Sequence, residues 1–350
     1  MYKDLNQAED TVLTQITVTN GFFDGGVGTL AGSNFTTASL STTQKSYYYN
    51  VQYNSKDHFG VTYGHIGGSG SAEQSTTVEG TTQAIYKEFF NVLEPDSVKL
   101  RDETGFLIVD GTNGANAVSQ SDCYFISAER LQMKDRLNPG TWTITLSGST
   151  TAGTVGTSLS LTDNSKTTSP SAAPFGQRYD IISGSAGSAI GSNKYGFFYP
   201  DAGVFVLSVS AVSASLPGDA EFKTSGSSHT GGGTGLAPDT RVNTAADNAW
   251  KLTRALELGT VTLRSEEKQY IYDYFCRAKT TEFNLSNNAT FWSGSNWQIR
   301  HSDMVTNPQT YITEVGLYDN SNTLVAVGKL SSALNKNFSS EAIIKVRLTY

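Results

Sequence analysis

The stretch "QKSYYYNVQYN", residues 44–54, alternates. Tyr47, Tyr49, Val51 and Tyr53 share one side of an extended strand, and Ser46, Asn50 and Gln52 fall on the other. Strand character returns along the chain. "HFGVTYGHIGGSG" (58–70) reads as a second strand entering a glycine-rich turn. "GFLIVDG" (105–111), "SDCYFISAER" (121–130), "RYDIISGSAG" (178–187) and "YGFFYPDAGVFVLSVSA" (195–211) read as strands, as does the stretch with Trp142 and Ile144 on one face after the Pro-Gly turn of "RLNPGTWTITLSGS" (136–149).

Two segments change period. In "TQAIYKEFFNVLEP" (82–95), Ile85, Phe89 and Val92 stand at i, i+4 and i+7, Tyr86, Phe90 and Leu93 broaden the stripe, and Pro95 ends it, so a helix is expected over 82–94. "RSEEKQYIYDYFCRA" (264–278) carries Ile271, Tyr274, Phe275 and Ala278 at helical spacing. Ser265 is placed to cap a helix over 265–278, with Glu266 and Glu267 at its positive end. "NAWKLTRAL" (248–256) suggests one or two further helical turns. The expected fold is mainly β with a few helices (α+β): antiparallel sheets in sandwich-like domains, with the two amphipathic helices packed on them.

Composition agrees. Of 350 residues only 37% are hydrophobic and 16% charged, yet there are 17 Tyr, 17 Phe and 4 Trp. Chains of this kind suit pleated surfaces rather than helices or disorder. The net charge of −7 leaves no basic footprint for nucleic acid, so no direct nucleic-acid binding is expected. The apolar run 203–216 is too short and too rich in serine to span a bilayer, and "MYKDLNQAED" has neither the basic nor the apolar region of a signal peptide. A soluble protein without membrane contact is expected.

Residues 1–214 read as an N-terminal β-rich domain with a Ser/Thr-rich, weakly patterned insertion at 147–175. Residues 215–241 lose periodicity and gain glycine, which suits a linker or surface excursion. Residues 242–350 read as a C-terminal α+β domain. It ends in a hairpin, 311–318 and 323–330, and a last strand, "AIIKVRLTY" (342–350), with Ala342, Ile344, Val346, Leu348 and Tyr350 on one face. That strand is expected to close the domain by pairing with the hairpin.

The chemistry-bearing residues form no motif. "GHIGGSGS" (64–71) and "GSAGSAIGS" (184–192) have the outline of phosphate cradles but lack GK[ST] and GxGxxG, so glycine-rich turns are the better reading. Asp57-His58 and His301-Ser302-Asp303 are isolated pairs, His65 and His229 stand alone, and no HExxH or GxSxG occurs. Cys123 and Cys276, 153 positions apart, read as two buried free thiols, with a disulfide as the alternative. No catalytic, cofactor-binding or metal-binding residue is nominated and no cofactor is expected. A polysaccharide-degrading enzyme would need only two carboxylates at the right separation, which spacing along the chain does not reveal.

Several segments carry a resemblance. "YGHIGGSGS", "AIYKEFFNVL", "NPGTWTITLSG", "YDIISGS", "YGFFYPDAGVFVLS", "DNAWKL", "YFCRAKTTEFNLSNNATFWSG" and the terminal "NPQTYITEVGLYDNSNTLVAVGKLSSALNKNFSSEAIIKVRLTY" resemble, in this order, virion structural proteins of contractile-tailed bacteriophages, especially myoviruses of marine cyanobacteria. The terminal "ITEVGLYD…LVAVGKL" is similar to a motif of phage tail and fibre proteins. The resemblance covers roughly two thirds of the chain and is densest after residue 245. It implies a non-enzymatic, oligomeric scaffold of the tail, baseplate or neck, located in the virion and assembled in the host bacterial cytoplasm. Its partners would be copies of itself and other virion proteins. The alternative is a receptor-binding adhesin that recognises host surface glycans. On either reading 147–175 and 215–241 look like insertions.

Overall fold

The structure, a computed structural model, describes residues 3–23, 28–31, 34–37, 47–71, 80–95, 105–108, 117–151, 154–216, 236, 238 and 248–350. It is mainly β, with antiparallel sheets. The chain forms two compact units, Val18–Glu267 and Met1–Thr17 with Lys268–Tyr350. The division thus falls at 267/268 and not within 215–241.

The larger unit is built on one antiparallel sheet. Its strands lie in the order Thr29–Ala31, Thr260–Thr262, Thr143–Thr151, Thr154–Asp163, Gly176–Ser185, Ser188–Tyr199, Val204–Ser208, Asp122–Ala128, Lys56–His65, Tyr48–Tyr53 and Thr36–Thr37, with Ser171–Ala173 added beside Gly176–Ser185. The helix Asn248–Glu257 packs on strands near both ends of this order: Thr260–Thr262 and Thr143–Thr151 at one, Lys56–His65 and Tyr48–Tyr53 at the other. One helix touches both only if the sheet curls round it, and the sheet is nearly closed. Leu252, Ala255 and Leu256 of this helix join Val51, Trp142, Tyr124 and Phe205 in the enclosed core.

The central strands are buried on both faces. Tyr124, Ile126, Phe205 and Leu207 point into the enclosed core, while Cys123, Phe125, Val204 and Val206 point to a second one. The helix Thr81–Leu93 covers that second core. Phe89 stacks on Phe125 with ring centroids 4.3 Å apart. The Tyr86 hydroxyl donates to the Gln120 carbonyl at 2.6 Å and accepts from the Phe106 amide at 2.9 Å. The helix comes so near the sheet that a Cβ on Gly64 would stand 2.9 Å from the Tyr86 backbone, which is why a glycine sits there. The expected stripe is rotated by about one position: Tyr86 and Leu93 are buried, and Val92 faces solvent.

Two expectations are overturned here. Residues 147–175, expected as a weakly patterned insertion, contribute to the large sheet. They supply the paired strands Thr143–Thr151 and Thr154–Asp163, in which Ile144 faces Leu161 and Leu146 faces Leu159. The alternating leucines are diluted by Ser and by Thr, and Thr itself favours strands. Residues 265–278 are no helix but most of a 15-residue strand, Arg264–Ala278. Ser265 pairs with Leu137 rather than capping, and Glu266 is buried beside Arg136. The segment satisfies a period of 2 as well as 3.6, and its run of Tyr, Ile and Phe tips the balance once a partner strand is available. Among the described residues, the helices that pack on the large sheet are 81–93, 248–257 and the short Val209–Ser215.

The expected excursion 215–241 lies largely outside the described residues. Leu216 and Leu236 are both fully buried, and the Leu236 amide donates to the Leu216 carbonyl at 3.2 Å. Leu236 is thus a core residue inside a segment expected to be superficial.

In the smaller unit, Thr11–Gly21, Arg264–Ala278 and Ala342–Thr349 form a sheet in that order. The last strand pairs with Arg264–Ala278, in register from Ile271↔Thr349 to Ala278↔Ala342, and not with the hairpin as expected. The hairpin, Thr310–Tyr318 with Leu324–Lys336, forms its own two-stranded sheet. It approaches the last strand face-on: a Cβ on Gly328 would lie 3.6 Å from Val346. Its turn is held by the Asp319 carboxylate, which accepts from the amides of Ser321 and Thr323, both at 2.8 Å.

Candidate functional site

The glycine-rich turns spend their amides internally. After Lys56–His65, the amides of Gly67 and Ser69 donate to His65 Nδ1 at 3.0 and 3.3 Å. Burial holds the His65 imidazole below its ordinary pKa, which favours the neutral acceptor form. At the start of helix 81–93 the Thr82 amide donates to Ser71 Oγ at 2.9 Å. The outline of a phosphate cradle is therefore filled by the chain's own donors and acceptors. In 184–192, Ala186 (φ 45°) and Gly187 (φ 75°) make a tight hairpin turn.

The other histidines and acids do not converge. Asp57 and His58, adjacent on one strand, point to opposite faces. Asp57 accepts from the Asn50 and Gln52 amides at 2.9 and 2.6 Å, whereas His58 is buried among Phe22, Phe23 and Tyr53. His301 is exposed on a loop, and His229 lies outside the described residues. Both cysteines are free, Cys123 fully buried and Cys276 half-buried, and burial pushes both thiols up. Among the described residues, no three His, Cys, Asp or Glu side chains gather as metal ligands do.

The buried carboxylates have committed partners. Glu94 accepts the Tyr199 hydroxyl at 2.8 Å and Arg178 at 3.1 Å, and Arg178 lies over the Phe197 ring. Arg136 pairs with Glu266 and stands 3.9 Å from Asp201. Asp122 accepts the Tyr63 hydroxyl at 3.2 Å, and burial raises its carboxyl above the usual range. Asp201 and Glu266 share the Arg136 guanidinium, and the Asp201 carboxylate also accepts the Gln177 backbone amide at 2.9 Å.

The unusual surface is in the smaller unit. Among the described residues, seventeen of the twenty-two exposed large hydrophobic side chains belong to it, although it holds under a third of the sequence. Among the described residues, none of its side chains joins either hydrophobic core cluster. Along Leu324–Lys336, Ala326, Gly328 and Leu330 are half-buried, and Val325, Val327 and Lys329 between them are exposed. Polar contacts take a large share in holding this unit. Asp273 accepts two hydrogen bonds from Arg347, at 2.8 and 3.0 Å, and pairs with Lys345 at 2.7 Å. Those cations, Arg347 first, hold its carboxyl well below the usual carboxylate range. The buried Lys336 ammonium donates to Asn284 Oδ1 at 2.7 Å and to the carbonyls of Asn337 and Thr280 at 2.9 and 3.2 Å. A cavity of about 340 Å³ lies beside it, lined by Lys3, Glu282, Phe283, Leu285 and Phe338 among others. The Lys3 and Glu282 charges there are spent on each other at 2.6 Å.

The small hairpin Trp292–Ser293 with Gln298–Ile299 carries a second exposed feature. Trp297 is 70% exposed, has φ 53°, and meets Trp292 edge-on at 5.9 Å. The signal available in the sequence is a tryptophan set between polar residues in "SGSNWQIR". Among the described residues, no helix is long and apolar enough to cross a membrane. Comparisons with family models, with curated proteins and with solved structures yield no match.

Proposed function

We propose that this chain is a non-enzymatic structural component that works by protein–protein contact. On the resemblance of its segments, it belongs to the tail, baseplate or neck of a tailed bacteriophage particle. The observation that carries the reading is the smaller unit's surface. Monomers rarely leave large contiguous apolar patches exposed, and strands whose apolar faces stay uncovered within one chain are suited to cover by others. The larger unit, which buries two hydrophobic cores of its own, then serves as the mount. Mass spectrometry and cryo-EM of purified particles of the virus encoding the chain test this: stoichiometric, symmetric density is expected. A chain found only in lysate and absent from particles would sink it.

The exposed Trp297 favours one second reading, a glycan-recognising adhesin, since a flat aromatic ring beside polar side chains suits stacking on sugars. Binding to a glycan array that is lost in Trp297→Ala would select it over the scaffold.

A further inference from the structure

The strand Thr11–Gly21 lies at the edge of the smaller unit's sheet. Among the described residues, Arg264–Ala278 is the only strand paired with it, so its other backbone edge is open. Every residue from Val12 to Thr17 is exposed, Val12 at 48%, Leu13 at 53% and Ile16 at 39%. The strand "TVLTQITVTNG" contains no charged residue and no proline, the devices that usually guard an edge.

Its sequence is also self-complementary. Reversing residues 11–17 about Thr14 sets Thr11 against Thr17, Val12 against Ile16, and Leu13 against Gln15. β-branched apolar residues thus meet across the pair on one face, and threonines meet at both ends. A two-fold axis brings the same patch of two copies together, and this is the pattern such an axis requires. The chain leaves the strand just before it, in the helical turn Gln7–Asp10, which limits the pairing to about these seven residues. The opposite edge of the sheet lacks this property. Self-pairing of Ala342–Thr349 about Val346 would set Lys345 against Arg347, and like charges directly opposite are destabilising.

We propose that residues 11–17 pair antiparallel with the same residues of a second copy of this chain, about a two-fold axis through Thr14, joining the two sheets into one. This rests on the reading of the chain as a self-associating structural protein and names the first contact in that assembly.

The test uses the full chain with Thr14→Glu and Thr14→Lys, measured by sedimentation velocity singly and as an equimolar mixture. A symmetric contact sets two like charges face to face in each variant, so each should weaken the dimer by on the order of a hundredfold. The mixture should restore a dimer, which also proves that both variants are folded. Dimers unaffected by either charge, or no recovery in the mixture, would overturn the proposal. So would loss with Lys but not with Glu, which would point to a head-to-tail contact with the strand carrying Lys345 and Arg347. Thr14→Cys gives a second arm. Mild oxidation should yield a covalent dimer, and no more of it than from Val325→Cys would count against the contact. An oligomer indifferent to Thr14 refutes this contact and leaves the scaffold reading intact. Absence of the chain from particles refutes the scaffold reading, whatever happens at Thr14.

Discussion

The two units use the same strand grammar and reach opposite ends. In the larger one, alternation is consumed twice: Cys123 and Phe125 pack outward under a helix while Tyr124 and Ile126 pack inward against another. In the smaller one, alternation is equally regular along Ala342–Thr349, yet only Ala342 is fully buried, and Ile344, Val346 and Leu348 remain half-covered. Alternation therefore tells which residues share a face. It does not tell whether the chain itself supplies the cover. Where it does, the strand is buried on both faces; where it does not, one face stays half-covered.

The sharpest way to break this contrast is to remove one ring from each unit. Phe125→Ala empties a site between Phe89, Phe106 and Tyr86 and should cost about 3–5 kcal/mol in urea unfolding. Phe338→Ala, at a ring that is 52% exposed, should stay within about 0.5 kcal/mol. Comparable losses would mean that the smaller unit has a core of its own.

A middle-sized effect tests the half-covered face. Ile344→Asp puts a carboxylate beneath the hairpin and should destabilise the smaller unit by about 1–3 kcal/mol. Lys345→Asp, on the outer face, should do less, although it removes a partner of Asp273. Thermal melts of both variants decide the order, and the reverse order would place the covered face on the other side of the strand.

The fold was legible where one period held alone. Tyr49, Val51 and Tyr53 are buried as their alternation requires, and the helix at 81–93 and the hairpin at 310–336 lie where their patterns put them. It was illegible where two periods coincided, as in "YIYDYF", because a strand of 15 residues needs a partner and that partner lies about 70 residues away at Ala342–Thr349. The pairing of the last strand failed for the same reason: proximity in sequence favoured the hairpin, whereas the hairpin meets that strand through its face. The candidate surface was the least legible part. An exposed valine and a buried one look alike in a sequence, and only the fold separates Val327 from Val51.

Acid should act on the two units unequally. Arg347 and Lys345 hold the Asp273 carboxyl below its unfolded value of about 3.9. A depressed carboxylate adds stability that is present above that value and is lost as the pH falls through the lowered one. Hydrogen exchange along 271–278 should therefore accelerate as the pH is taken below about 4, after correction for the intrinsic rate. Asp273→Asn should flatten that dependence while leaving exchange in 122–128 unchanged. An unchanged acid response in the Asn variant would show that the ion pairs are surface decoration.

The smallest expected effect is the most telling. Val325 and Val327 stand 59% and 48% exposed on the outer side of the hairpin, with Glu314 and Lys329 paired across the strands beside them. Their exchange for threonine keeps the β-branched shape and the strand preference while adding two hydroxyls to water-facing positions. In the isolated chain nothing is uncovered or newly buried, so the melting temperature should move by less than about 2 °C, the shift expected for a few tenths of a kcal/mol. In an assembly the same hydroxyls would be taken out of water without partners, at about 1–3 kcal/mol each. Particle incorporation, measured in competition with the unmodified chain, should then fall severalfold while solubility of the free chain rises. A double variant that melts normally and is incorporated normally would show that this face is solvent-exposed in the particle as well. The contrast between the units would then reflect a loosely built second unit rather than a surface awaiting its neighbour.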